Sequence, residues 1–329
     1  MERSTCIVVA SNDRTASLWD IGTARVVATL KHDLEINSAN FDASGVAVVT
    51  TSQDQLAKVW DVASGEVLAS VAHSNSVYAA AFDPSGELIV TASDDKTASV
   101  WEAATGSKVC TARHEHAVYS ASFDVSGARF VTASRDSSAS VWDALTGAKL
   151  VTMKHRDRCM NSAFDATGKR VVTASFDKSA TVWDAVSGTK IFTAKHSNLV
   201  FSAAFNVLGT HIVTGGDDFA AKVWDIASGK EVSTLRHKDR VYKAAFDPTG
   251  SRVITASADS SAGVWDASTG TQLLTLKHCR GVLDAAFDAS ATLVATASEE
   301  GTAAVWRVES GERLLSCRHE ATVNSVAFS

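Results

Sequence analysis

A hydroxyl, a carboxylate, an indole and two imidazoles lie close together in the sequence between residues 73 and 114. Thr91, Asp95 and Trp101 fall between His73 and His114. Imidazole and carboxylate side chains are the groups that most often exchange protons in enzymes. The set therefore raises the hypothesis of an acid–base site, and its spacing must be compared with the rest of the chain.

The same residue types recur along the whole chain at one spacing. Each tryptophan lies 41 residues after the one before, and one histidine series and one phenylalanine series keep the same step without insertions. A period of this length is typical of solenoids, propellers or arrays. The unbroken spacing suggests recent amplification of the repeat, or a consensus-like or engineered origin. The tryptophans are Trp19, Trp60, Trp101, Trp142, Trp183, Trp224, Trp265 and Trp306.

Each unit has the pattern of four short strands. In the third unit these are "VYAAAFD", "ELIVTASDD", "KTASVWE" and "SKVCTARH", separated by turn sequences such as "DPSG" and "AATG". Apolar and β-branched runs bounded by turn residues favour strands, and no stretch has helical periodicity. Four antiparallel strands in about 40 residues, with a Trp-Asp pair, are the signature of a propeller blade. The sequence therefore predicts an all-β fold.

The chain resembles the WD-repeat (WD40) family of β-propellers over its whole length. Trp-Asp stands in six units, whereas Glu102 follows Trp101 and Arg307 follows Trp306. The resemblance and the count of units imply a single eight-bladed propeller of four-stranded antiparallel blades over residues 1–329. The ring is expected to close in blade one, where the N-terminal strands of residues 5–31 pair with a C-terminal strand in residues 322–329, as family members commonly do.

The resemblance also gives the opening residues a structural role. In WD-repeat proteins an indole donates to a hydroxyl, the hydroxyl to an imidazole, and the imidazole to a carboxylate, which satisfies groups that would be costly to bury unpaired. A catalytic site is needed once per fold, whereas this set recurs in unit after unit. Six units carry it complete, the set of the third unit being His73, Thr91, Asp95 and Trp101.

Two units depart from this quartet. Glu300 replaces the aspartate beside His278, Thr296 and Trp306, so we expect a distorted network there. In blade one Val9 stands where the hydroxyl should be. Because that blade is also assembled from both chain ends, we expect it to be the least stable and to open first.

Function is expected at positions that vary within the constant template. The residue five after each histidine of the series should open on the channel mouth, where six consecutive blades present large apolar groups. Nearby loops add Phe176 and arginines, which are enriched at binding hot spots. We therefore expect a non-catalytic scaffold that binds a protein or peptide on this face through Tyr78, Tyr119, Met160, Phe201, Tyr242, Leu283, Arg135, Phe176, Arg158 and Arg240.

Two other functions stay open at this point. An enzyme could use the propeller as its scaffold, with Lys243 and Asp284 of adjacent inner strands as the ionisable pair, although such a pair is usually a salt bridge. The chain could also be the ligand-sensor domain of a larger multidomain protein.

Composition limits the remaining possibilities. A net charge of −6 and a pI near 5.9 disfavour general binding of nucleic acid or anionic membranes. Five cysteines without a CxxC pair favour a reducing compartment, and no signal-peptide core or long apolar run is present, so we expect a cytoplasmic location. One histidine per blade does not form a metal site. We expect no cofactor, no metal, and a monomer.

Overall fold

Each 41-residue step of the sequence folds into strands, as its alternation of β-branched runs and turn residues predicts. The structure, a computed structural model, describes residues 5–329. It contains 32 strands in eight antiparallel sheets of four, and no helix occurs in these residues. No helix in the described part of the chain could therefore span a membrane.

We number the sheets as blades one to eight. Blade one contains β1 (Cys6–Ser11), β2 (Thr15–Asp20), β3 (Arg25–Lys31) and β32 (Val323–Phe328). Blade two contains β4 (Ile36–Phe41), β5 (Ala47–Ser52), β6 (Leu56–Asp61) and β7 (Val67–Ala72). Blade three contains β8 (Val77–Phe82), β9 (Leu88–Ser93), β10 (Thr97–Glu102) and β11 (Lys108–Arg113). Blade four contains β12 (Val118–Phe123), β13 (Arg129–Ser134), β14 (Ser138–Asp143) and β15 (Lys149–Lys154).

The second half of the ring repeats this order. Blade five contains β16 (Cys159–Phe164), β17 (Arg170–Ser175), β18 (Ser179–Asp184) and β19 (Lys190–Lys195). Blade six contains β20 (Val200–Phe205), β21 (His211–Gly216), β22 (Ala220–Asp225) and β23 (Lys230–Arg236). Blade seven contains β24 (Val241–Phe246), β25 (Arg252–Ser257), β26 (Ser261–Asp266) and β27 (Gln272–Lys277). Blade eight contains β28 (Val282–Phe287), β29 (Leu293–Ser298), β30 (Thr302–Arg307) and β31 (Arg313–Arg318).

The ring closes in blade one, as predicted. Strand order there is β3-β2-β1-β32, so the C-terminal strand is the innermost strand of a blade that the N-terminal strands complete. The pairing runs antiparallel from Ile7 opposite Phe328 to Ser11 opposite Val323. Each innermost strand packs against the innermost strands of both neighbouring blades, including β32 against β4 and β28. The prediction of eight blades is confirmed.

The hydrophobic core lies between blades and not within any one of them. In one such layer, Val90 and Val100 of blade three pack with Val118, Phe130 and Trp142 of blade four, and all five are buried. A blade cannot bury its apolar face alone, so stability comes from stacking against neighbours, as in other repeat proteins.

Three arginines also connect neighbouring blades. Arg252 of blade seven donates to buried Asp247 of its own blade (Nε to Oδ2, 3.1 Å) and to the Ala291 carbonyl of blade eight (2.7 Å). Its guanidinium lies 5.6 Å from the ring centre of Phe287. Arg129 of blade four and Arg170 of blade five form the same ion pair within their own blade and the same ring contact with the next blade.

Candidate functional site

The residues that first suggested acid–base chemistry form a closed hydrogen-bond chain in blade three. The Trp101 indole donates to Thr91 Oγ1 at 2.9 Å, and Thr91 Oγ1 lies 2.7 Å from His73 Nε2. His73 Nδ1 lies 2.9 Å from Asp95 Oδ2. With the carboxylate ionised, Nδ1 carries the proton and Nε2 accepts from the hydroxyl. His114 belongs to the next blade.

This network has no free capacity for catalysis. Asp95 also accepts hydrogen bonds from the Ser74 and Thr97 amides and the Thr97 hydroxyl. Burial raises the pKa of Asp95, but the hydrogen bonds from His73 and Thr97 outweigh burial and hold this pKa well below its ordinary range. His73 and Asp95 have side chains only 2% and 9% exposed. The set therefore satisfies buried polar groups, as the resemblance implies.

The same chain of bonds recurs in blades two and four to seven. Indole-to-hydroxyl distances are 2.8–3.0 Å, and hydroxyl-to-imidazole distances are 2.7–2.8 Å. One network per blade is what a structural device requires.

The distortion expected in blade eight does not occur. His278 Nδ1 lies 2.7 Å from Glu300 Oε1, His278 Nε2 lies 2.8 Å from Thr296 Oγ1, and the Trp306 indole donates to Thr296 at 2.9 Å. The two oxygens of the longer side chain have different partners: Oε1 faces the imidazole, and Oε2 accepts a hydrogen bond from the Cys279 amide at 2.6 Å. In the aspartate blades two to five and seven, one carboxylate oxygen receives both bonds.

Blade one also completes its network, with a hydroxyl from the facing strand. The Trp19 indole donates to Ser17 Oγ at 2.8 Å, Ser17 Oγ lies 2.7 Å from His319 Nε2, and His319 Nδ1 lies 2.8 Å from Asp13 Oδ2. Val9 and Ser17 are directly opposite each other in the β1–β2 ladder. The expectation that this blade lacks its hydroxyl was therefore wrong, because Ser17 supplies the hydroxyl from the strand position opposite Val9.

The eight variable positions at the channel mouth share one backbone feature. Each is the extra residue of a β-bulge in the innermost strand: the pairing passes from Val77 opposite Ser93 to Ala79 opposite Ala92, leaving Tyr78 without a ladder partner. A bulge re-aims the side chain that it carries. All eight side chains are half-buried. The positions are Asn37, Tyr78, Tyr119, Met160, Phe201, Tyr242, Leu283 and Asn324.

The aromatic side chains form two groups on this face. Tyr78 and Tyr119 lie 5.6 Å apart between ring centres. Phe176, from the turn after β17, lies 5.7 Å from Phe201, which lies 5.9 Å from Tyr242. No ring contact among residues 5–329 joins the two groups, and Met160 lies in blade five together with Phe176. We call the six apolar bulge residues and Phe176 the aromatic arc.

Two of the three arginines predicted for this face, Arg158 and Arg240, have local partners. Arg158 lies 5.3 Å from the Phe176 ring centre and 4.0 Å from Asp157. Arg240 pairs with Asp217 of the preceding blade at 3.3 Å and with Asp239 at 3.8 Å. Arg135 is exposed in the turn after β13. Residue types alone did not reveal these ion pairs. The only indication in the sequence was that acidic residues are interleaved with the arginines.

Carboxylates also affect the tyrosines of the arc. Burial, with the nearby Asp94 carboxylate, raises the pKa of Tyr78. Burial raises the pKa of Tyr242 as well, and Glu299 and Asp239 add to this rise against the opposing charge of Arg240. Both phenols therefore stay neutral at physiological pH and offer an O–H group beside an apolar ring.

The two asparagines at the bulge positions bond to neighbouring blades. Asn324 Nδ2 donates to the Ile36 carbonyl at 2.8 Å, which connects blade one to blade two. Asn37 Nδ2 donates to the Val77 carbonyl at 2.7 Å, which connects blade two to blade three. The arc is therefore interrupted where bulge side chains fasten the blades beside the chain ends.

Comparison with known proteins agrees with this architecture. The family model of the WD domain, G-beta repeat matches seven segments, which together make up most of the chain. The chain belongs to the WD40 family. The matched residues are 24–61, 65–102, 106–143, 147–184, 188–225, 229–266 and 270–307. An eighth segment in the same register would be divided between the two chain ends, because β31 and β32 follow residue 307 while β1 and β2 lie within residues 5–20.

A solved structure similar to this WD40 chain is the crystal structure of the computationally designed Ika8 protein. It is 27% identical, covers 93% of this chain and 94% of its own, and superposes with a TM-score of 0.83. No curated protein matches the chain significantly. WD40 propellers are in general non-catalytic scaffolds for protein interaction.

The ionisable pair considered for catalysis forms an inter-blade bond in this WD40 ring. Lys243 Nζ lies 2.5 Å from Asp284 Oδ1, and Asp284 Oδ2 accepts from the Val326 amide at 3.1 Å. Asp284 is 7% exposed. Both carboxylate oxygens thus hold neighbouring blades together. Among residues 5–329, no three His, Cys, Asp or Glu side chains are grouped closely enough to hold a metal ion.

Proposed function

We propose that this WD40 protein is a non-catalytic scaffold whose aromatic arc binds a peptide segment of a partner protein. The observation that carries the proposal is the division among the bulge residues. Six present apolar or aromatic side chains that remain partly accessible, while the two asparagines are used in bonds between blades. Aromatic side chains that are aimed by a rigid backbone are typical binding anchors.

The charges near the arc favour an apolar anchor over an acidic one. Arg240 and Arg158 have carboxylates beside them, so an acidic ligand would have to displace Asp217 or Asp157. A peptide that packs an apolar side chain against Phe201 and Tyr242 needs no such exchange. We therefore propose a segment with one or two large apolar side chains, flanked by backbone that the tyrosine hydroxyls and Arg135 can bind.

The proposal can be tested with a phage-displayed random peptide library selected against the protein. Selected peptides should bind F201A/Y242A at least about tenfold more weakly, as expected for hot-spot residues. The matched control is V186A/L208A, which removes two side chains that are 75% and 74% exposed in turns at the opposite end of the ring. Thermal unfolding of both variants separates lost binding from lost folding.

Two outcomes would contradict the proposal. Peptides that bind F201A/Y242A as tightly as the wild type would remove the arc from the interface. Peptides that lose affinity only in V186A/L208A would place binding at the opposite end. Y119A, measured in parallel, tests whether the first aromatic group takes part even if F201A/Y242A is destabilised. A cytoplasmic location and a monomeric state stay predictions.

A further inference from the structure

A groove outside the aromatic arc has a strongly one-sided charge. It lies at the outer edge of blade five, encloses about 410 Å³, and is bounded by the loop after β15, the turn before β18 and strand β19. Five of its ten lining residues are cationic: Lys154, Arg156, Lys178, Lys190 and Lys195. All five are exposed.

The only acidic side chain in the groove lining is already saturated. Asp177 Oδ2 faces His155 Nδ1 at 2.9 Å and accepts from the Arg156 amide at 3.1 Å, while Oδ1 accepts from the Ser179 amide and hydroxyl. It belongs to the quartet of blade five. None of the five cations forms an ion pair within residues 5–329. Five positive charges therefore stand against the single negative charge of Asp177 in this groove, in a protein of net charge −6.

The other blades show what this groove has in addition. The equivalent groove of blade seven has the same backbone framework, but Ser260 stands in place of Lys178 and Gln272 in place of Lys190. Three cations remain there: Arg236, Lys238 and Lys277. The blade-eight groove has two, Arg313 and Arg318, beside Glu300. The repeated backbone forms a similar groove in blades five, seven and eight, and among these three grooves only that of blade five is lined by five cations.

We propose that the blade-five groove binds a small soluble anion carrying two or more linked phosphate groups. Lysine ammonium groups are compact charges suited to phosphate, and one monophosphate would leave most of the five charges unbalanced. The face of Trp183 is covered by Lys190 at 5.0 Å, so the groove offers no open ring on which a nucleic acid base could stack. These features favour a compact polyphosphate over a nucleic acid strand.

The test uses isothermal titration of inorganic tripolyphosphate into the full chain at low ionic strength. K178S/K190Q gives blade five the side chains that blade seven already carries, so it preserves a lining that this fold accommodates. We expect one site in the wild type and a loss of about three- to tenfold in affinity for each cation removed, as for exposed charge-assisted hydrogen bonds. Added salt should weaken binding.

Two further variants control for general charge effects. K96S/K108Q removes the same two charges from the equivalent, exposed positions of blade three and should bind as the wild type does. S260K/Q272K should create a second site in blade seven. An arm with phosphatidylcholine vesicles containing a bisphosphorylated inositol lipid distinguishes a headgroup from a free anion. Binding of these vesicles that depends on Lys178 and Lys190 and is tighter than that of tripolyphosphate would contradict a soluble ligand.

Three other results would overturn the proposal. They are no heat of binding with the wild type, equal weakening by K178S/K190Q and K96S/K108Q, or a single-stranded oligonucleotide that binds the groove more tightly than tripolyphosphate does.

Discussion

From the structure of blade one we predict that a quartet keeps its hydrogen bonds without its threonine if a second hydroxyl lies directly opposite in the strand ladder. Blade four has that second hydroxyl: Ser140 is opposite Thr132, and Ser140 Oγ is buried without a hydrogen-bond partner. Blade seven has none, because Gly263 is opposite Thr255. T132V and T255V are therefore the same isosteric change at two fully buried positions with different expected outcomes.

The difference follows from which polar groups stay paired. T255V leaves the Trp265 indole and His237 Nε2 without the hydroxyl that each contacts at 2.8 and 2.7 Å. A buried polar group that loses its partner costs about 1 to 3 kcal/mol, so this variant, which leaves two such groups, should lose about 2 to 6 kcal/mol of unfolding free energy. In T132V, Ser140 can take the place that Ser17 has in blade one, and the loss should stay below about 1 kcal/mol.

Urea unfolding followed by tryptophan fluorescence and far-UV circular dichroism measures both variants. A third variant, T132V/S140A, should lose about as much stability as T255V, because both hydroxyls are then absent. If T132V costs as much as T255V, or if T132V/S140A costs no more than T132V, the exchange of hydroxyls across the ladder does not stabilise the blade and the account of blade one is wrong.

Three further predictions concern acid stability, blade contacts and the seam. The eight quartet carboxylates have folded-state pKa values below the ordinary 3.8 or 4.5, because hydrogen bonds outweigh burial, and that of Glu300 is about 2. The stabilisation by these carboxylates is present above their ordinary pKa values and is lost as pH falls through their folded-state pKa values. Burial lowers the pKa of His32 and His278, which adds a smaller loss of stability below pH 6.5. The melting temperature should therefore fall most steeply below about pH 4. R252L, which installs the leucine that blades three and eight carry at this position, should cost about 1 to 3 kcal/mol in urea unfolding, and a loss below about 0.5 kcal/mol would show that the arginine link between blades is not stabilising. In hydrogen exchange, amides of the β1–β32 pair should be the least protected of the innermost pairs because no covalent turn joins these strands, and uniform protection would contradict this.

The fold was predictable because its determinants repeat at a constant spacing. One tryptophan and one histidine per 41 residues fix the number of blades, and the strand patterns at the two ends identify the blade that both termini share. The blade-one hydroxyl was not predictable in the same way. Ser17 lies outside the position that the other units use, and its role depends on the β1–β2 register, which places it opposite Val9. Register is a property of the pairing and not of residue spacing.

The equivalence of the variable positions was predictable from the sequence, but their contacts were not. The template indicated which residue of each unit opens on the channel mouth, and the structure adds the reason, a bulge at each of these positions. The partners depend on distances between blades. Arg240 reaches Asp217 of the preceding blade, and Asn324 reaches the Ile36 carbonyl of the next one. Neither pair can be read from a single repeat.

The separation between shared and variable positions makes the binding tests interpretable. The quartets lie inside the blades and the core layers lie between neighbouring blades, so the apolar bulge residues and the five exposed cations of the groove belong to neither. Exchanging Lys178 for serine and Lys190 for glutamine also uses side chains that the same backbone already carries in blade seven. A change in affinity after such an exchange therefore reports on charge in the groove, because the fold already accommodates both new side chains at the equivalent positions.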